Sequence, residues 1–163
     1  MPKENEFLGI KCRFEPVDFY SSMFGRYVDG GIGCFDMNGP SPFRGGTGGG
    51  GVTIDGTMIL DWAEDGTLTC VETFLLLRSR YFRMEALPII REGGYHRAIL
   101  ETKNLRPEIE DKEIIETGEN GMLDFRFVVR EVDKTVKLGD FIWALVADGL
   151  LIGFRFDFRP LMT

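Results

Sequence analysis

Hydrophobic and polar residues alternate with a period of two along much of this chain. Leu8, Ile10, Cys12 and Phe14 are interleaved with Gly9, Lys11 and Arg13. Leu123, Phe125, Phe127 and Val129 are set against Asp124, Arg126 and Arg130, and Phe154, Phe156 and Phe158 against Arg155, Asp157 and Arg159. Successive side chains of a strand point to opposite faces, so each run predicts a half-buried strand with its apolar set inward.

Turn dipeptides punctuate the runs. Asp-Gly stands at 29–30, 55–56, 65–66 and 148–149, and Asn-Gly at 38–39 and 120–121. Both residue types tolerate the positive φ that tight hairpins demand. Three hairpins follow. Thr57–Trp62 turns at Asp65-Gly66 into Thr67–Leu77. A strand ending near Ile90 turns at Glu92-Gly93-Gly94 into Tyr95–Thr102. Phe141–Ala147 turns at Asp148-Gly149 into Leu150–Phe158.

One stretch carries a helical spacing. Phe19, Tyr20, Met23, Phe24 and Tyr27 share one helical face behind Pro16 and Asp18, with Asp18 as cap and Gly30-Gly31 as stop. A weaker helical pattern over Pro107–Glu116 reads equally as a loop and a short strand. The fold class expected is all-β: a single antiparallel β-barrel of about 8–10 strands, similar in kind to calycin barrels, with one short N-terminal helix. A two-sheet sandwich is the alternative.

Composition narrows the function classes. The 163 residues suit a single domain, 1–163. The net charge of −7 argues against a nucleic-acid partner and against an anionic membrane surface, both of which select basic proteins. The longest apolar run, Phe141–Ala147, has seven residues, whereas a spanning helix needs about 20. The N-terminal residues lack the apolar core of a signal peptide. The three cysteines, Cys12, Cys34 and Cys70, form no Cys-x-x-Cys pair, so zinc and thioredoxin-like readings fail. A cytoplasmic protein with reduced thiols and no cofactor is expected.

Two segments stand apart. A Gly-rich loop at 38–51 contains Phe43 and Arg44. A strand pattern, Val52-Thr53-Ile54, follows it, so no helix N-terminus is available to hold a phosphate. It reads as a flexible connection, or as a flap with Phe43 and Arg44 as its contacts. An acidic connection at 104–121 carries Glu108, Glu110, Asp111, Glu113, Glu116 and Glu119 against Arg106 and Lys112. It reads as a solvated linker or as a docking face for a basic partner.

The candidate chemistry is sparse. His96 is the one imidazole, and it shares a strand face with Ala98 and Leu100. Glu72 lies in line with Leu68, Cys70, Phe74 and Leu76, where desolvation tunes a carboxyl for acid–base work. If the other face of that strand is the core, Glu72 is merely outside. Glu72 and His96 are the candidate catalytic pair. Phe43, Arg44, Trp62, Phe74, Tyr81, Tyr95 and Trp143 are the candidate substrate-binding residues, as aromatic walls, hydrogen-bond donors and one cation. No metal site is expected, and no motif assigns the chain to a family.

Two functions follow. The first is a barrel that binds a small, largely apolar organic molecule and acts as a cofactor-independent isomerase, cyclase or lyase by conformer control and acid–base assistance. The second is a non-catalytic protein-interaction module that uses the acidic segment or a strand edge. A homodimer fits either, since small barrels commonly pair.

Overall fold

The structure is a computed structural model that describes residues 7–27, 32–36, 49–74, 87–109, 115–119, 122–157 and 159. These are all-β, with no α-helix among them. The twelve strands are β1 (Ile10–Tyr27), β2 (Ile32–Asp36), β3 (Gly50–Ile54), β4 (Met58–Trp62), β5 (Leu68–Phe74), β6 (Leu87–Leu100), β7 (Glu108–Ile109), β8 (Ile115–Glu119), β9 (Met122–Arg126), β10 (Lys134–Gly139), β11 (Ile142–Ala147) and β12 (Leu150–Asp157).

They form two sheets. The first is six-stranded and antiparallel: β8, β9, β12, β11 and β10 in that order, with the start of β1 joined to β12 through Ile10↔Leu151 and Lys11↔Leu150. The second is mixed. Its four strands run β5, β4, β3, β7, of which only β3 and β7 are parallel. Through β2 it reaches the far end of β1, and β1 pairs with β6 from Cys12 to Phe24. Strand β1 therefore serves both sheets.

Among the described residues the strands close no barrel, which corrects the expected single barrel. The reason lies in β1. Its first residues extend the first sheet, and the rest diverge along β6 and β2, so β10 and β8 remain the ends of that sheet. The two sheets share one apolar cluster. It includes Val52, Ile54, Met58 and Leu60 from the second sheet and Phe125, Phe127, Phe154 and Phe156 from the first sheet and the chain just beyond β9. The rings of Phe125 and Phe156 meet edge to face, 5.4 Å apart and at 69°.

The helix expected behind Asp18 is absent, because β1 runs unbroken to Tyr27. Its backbone groups find partners in β6 and β2, and the pairing overrides a short helical spacing rich in aromatics that suit strands equally. The Pro107–Glu116 pattern is also not a helix at its ends: Glu108–Ile109 is β7, and Ile115 opens β8. Residues 110–114 lie outside the described residues.

Two of the three hairpins form. β11 and β12 meet at Ala147↔Leu150, and Asp148 and Gly149 adopt φ of 51° and 76°, the type I′ geometry. β4 and β5 pair across the Asp65-Gly66 turn. The second hairpin is corrected, since β6 runs straight through Glu92-Gly93-Gly94. The register there steps from Val17↔Tyr95 to Phe19↔Glu92, and Gly94 has φ 74°. The glycines make a β-bulge, because β1 is long enough to pair with both halves.

The alternation predicted for the first run holds from Ile10, which is buried, through Cys12 and Phe14, half-buried, with Lys11 and Arg13 exposed, but Leu8, before β1 begins, is 41% exposed. The alternation predicted for the run from Leu123 fails at Val129, which is 77% exposed. β9 ends at Arg126, and the chain bends away after the Phe127 N–H has donated to the Ile152 carbonyl at 2.9 Å.

Candidate functional site

An open groove of about 360 Å³ lies where β1 passes from one sheet to the other. Lys11, Cys12 and Arg13 of β1 line it, with Ile99 and Leu100 of β6, Glu101 just beyond, and Asp65. Backbone hydrogen bonds build it. The Glu101 N–H donates to the Lys11 carbonyl and the Leu100 N–H to the Gly66 carbonyl, each at 2.8 Å. Gly66 has φ 89°, and a Cβ there would lie 2.5 Å from the Leu100 oxygen, so only glycine lets this turn approach β6. The Asp65 carboxylate receives the Thr67 N–H at 2.9 Å.

Ile99 and Leu100 are buried; as neighbours in β6 they point to opposite faces, with Ile99 on the face of Arg13. Lys11, Arg13, Asp65 and Glu101 are exposed along the rim. Hydrogen bonding from Thr67, whose N–H donates to it, holds the Asp65 carboxyl below its ordinary range, and the positive charge of Arg97 adds to this. Farther along the same ribbon, Glu15 accepts from Arg97 Nε and Nη2 at 3.0 and 2.7 Å and lies 3.5 Å from Arg13.

Cys12 is half-buried at the groove wall, and burial pushes its thiol up to about 11 against the opposing effects of Leu151 and Lys134. The thiolate is the reactive form, so Cys12 is chemically quiet at neutral pH. Site-resolved alkylation of the folded protein should therefore rise with pH toward an inflection near 11 at Cys12. A rate already saturated by pH 9 would show an activated thiol instead.

The sequence-predicted residues lie on several strands. Glu72 is half-buried in β5, in register with Cys34 and Ile59. Both faces of β5 are buried around it: Leu68 and Cys70 on its own side, Thr69, Val71 and Thr73 on the other. His96 is half-buried in β6 opposite Pro16, on the face of Ala98. Its Nδ1 is buried and makes no hydrogen bond. Tyr95 is 3% exposed; its hydroxyl donates to the Asp140 carboxylate, and the Lys137 ammonium lies 4.9 Å over its ring.

Trp62 is half-buried at the end of β4, where a Cβ on Gly50 would lie 3.2 Å from its Nε1. Trp143 is half-buried in β11, in register with Lys137 and Arg155. Arg155 is committed to a two-pronged bond with Asp124, at 2.7 and 3.0 Å. Phe74 ends β5. Phe43, Arg44, Tyr81 and most of the Gly-rich loop lie outside the described residues.

Among the described residues, none of these candidates is the register partner of another, and none lines the groove. Sequence reasoning found no groove because its walls come from three distant segments. The turn signal at Asp65-Gly66 marked one wall without naming its neighbour.

The acidic connection is tied down in part. The Thr53 N–H donates to the Pro107 carbonyl at 2.9 Å, the Asp55 N–H to the Ile109 carbonyl at 2.8 Å, and Ile109 is 1% exposed. Among the described residues, no three His, Cys, Asp or Glu side chains converge as metal ligands would. Compared with known proteins, the chain matches no family model, no curated protein and no solved structure.

Proposed function

We propose that this protein is a non-catalytic interaction module that works through its surface. The observation that carries the reading is the packing between the sheets. Phe125, Phe127, Phe154 and Phe156 are each at most 1% exposed, and their rings occupy the space a barrel interior would have offered to a ligand. Binding by such a domain falls to strand edges and surface grooves. The groove over the β1–β6 ribbon is lined by the exposed charges Lys11, Arg13, Asp65 and Glu101 with buried Ile99 among them, a mixture that suits a small contact patch.

The competing reading is a small-molecule carrier or cofactor-independent isomerase, cyclase or lyase. The unpartnered His96 Nδ1 is the observation in its favour, as a buried acceptor that a ligand hydroxyl could satisfy.

Native mass spectrometry of freshly purified protein separates the two. The module reading expects the bare chain mass after gentle release, and no thermal shift against a panel of apolar organic molecules. A stoichiometric organic adduct that is lost in His96→Ala would overturn it in favour of the carrier.

A further inference from the structure

We propose that Trp143 and the charged side chains in register with it form a platform for a small planar anion, an aromatic ring that carries an acidic group. Four strands of the first sheet meet in one row. Lys137 of β10 pairs with Trp143 of β11, Trp143 with Arg155 of β12, and Arg155 with Asp124 of β9. Direct cross-strand partners share a face, so these side chains stand together on one side of the sheet. The neighbouring row, Val136, Ala144, Phe154 and Phe125, faces the other way and belongs to the core. The Trp143 row therefore lies on the outer face.

The indole is left open there. Trp143 is half-buried, and among the described residues no cation lies over its ring, no other ring meets it and its N–H reaches no acceptor. An indole face attracts positive charge, so flanking cations would ordinarily cap it. Both of these cations are held elsewhere. The Lys137 ammonium lies 4.9 Å over the Tyr95 ring. The Arg155 guanidinium is turned to the Asp124 carboxylate through Nε and Nη2, at 2.7 and 3.0 Å. A flat apolar surface with an unused N–H donor remains between them.

Charge selects the ligand. The row holds two cations against one carboxylate, in a chain whose net charge is −7. Lys137 makes no ion pair among the described residues. The Arg155 side chain is 39% exposed, and its two bonds to Asp124 fix the guanidinium while leaving further N–H donors unused. A ring stacked on Trp143 brings its acidic group beside Lys137 or Arg155. A neutral ring gains the stacking alone, and a cationic one meets like charge on both sides.

A flat face covers only one side of its ligand, so binding is weak, with a dissociation constant on the order of a millimolar. This inference does not depend on the module reading. An organic adduct lost in His96→Ala would overturn that reading and leave this one standing.

Titration followed by nuclear magnetic resonance tests it. The two tryptophans give two indole N–H signals, and Trp143→Phe assigns them. Adenosine 5′-monophosphate and naphthalene-2-carboxylate, each raised to millimolar concentrations, are the probes. The Trp143 signal is expected to move, and the signal of Trp62, at the end of β4, to stay. Movement with either probe upholds the platform: with the phosphate alone the ligand is a nucleotide, with the carboxylate alone an aromatic acid, with both any ring that bears the charge. Lys137→Glu should weaken binding by about tenfold, and added salt should weaken it in the wild type. Circular dichroism confirms that the variant is folded. A Trp143 signal that neither probe moves overturns the proposal. So does adenosine that binds as tightly as its monophosphate, which would show that the cations take no part.

Discussion

Phe154→Ala is expected to lower the unfolding free energy by about 3–5 kcal/mol, the range for emptying a phenyl site in a packed core. Phe154 is fully buried in β12, in register with Ala144 on one side and Phe125 on the other. Its ring lies 6.0 Å from that of Phe156. The site cannot collapse to fill the void, because its neighbours belong to strands held on both edges by hydrogen-bonded ladders. A domain of this size has about 5–15 kcal/mol in total, so one ring is a large fraction of the whole. The midpoint of thermal unfolding should fall by roughly 6–20 °C. Urea titration followed by circular dichroism gives the free energy, with an unchanged slope expected. Val129→Ala is the comparator. At 77% exposed it should stay within about 0.5 kcal/mol of the parent. If Phe154→Ala were equally mild, the shared phenyl core would not be the centre of this fold.

The period-two pattern was enough to find that core. Phe125, Phe127, Phe154 and Phe156 stand out in the sequence as inward positions, and all four are buried. The Asp148-Gly149 turn was equally legible, because the φ values it needs are a local property of those two residues. What failed was the choice between local and long-range partners. Glu92-Gly93-Gly94 carries the composition of a turn, and a turn and a bulge ask the same thing of a glycine, a positive φ. Only the presence of β1 alongside decides between them, and its register with β6 joins residues far apart in sequence. The aromatic spacing after Asp18 failed for the same reason: it fits one face of a helix, but strand pairing on both sides of β1 claims its backbone.

The groove was less legible than the core. Lys11 and Arg13 were correctly read as the outward face of a strand, which in isolation is only a solvated surface. They line a groove once β6 brings Glu101 alongside and the Gly66 carbonyl anchors the Asp65 turn to Leu100. Each segment is an ordinary charged strand or turn, and the groove exists only where the three meet. Single carboxylates and imidazoles draw attention because their chemistry is local. A charge pattern shared by three segments is visible only once they are folded.

Gly153→Ala should be nearly as damaging as the loss of a core ring, costing about 3 kcal/mol for the addition of one methyl group. Gly153 lies mid-strand in β12, between Leu145 of β11 and Arg126 of β9. A Cβ there would sit 2.2 Å from the Phe125 carbonyl oxygen and 2.8 Å from the Arg126 Cα. Both obstacles are backbone, so no side chain can rotate aside. β9 must move away from β12, and it carries Leu123 and Phe125 out of the core as it goes. Gly149→Ala separates this effect from backbone strain. Gly149 has φ 76°, but nothing lies within 4 Å of a Cβ placed there. Its substitution should cost only the left-handed penalty, about 1–2 kcal/mol. The two variants differ in where the damage appears as well as in size. In Gly153→Ala, amide hydrogen exchange should accelerate along the β9–β12 ladder, from Met122 to Arg126, while in Gly149→Ala it should stay confined to the hairpin tip. Equal costs in the two variants, or protection retained in β9, would mean that β9 and β12 tolerate a wider separation than their contact through Gly153 implies.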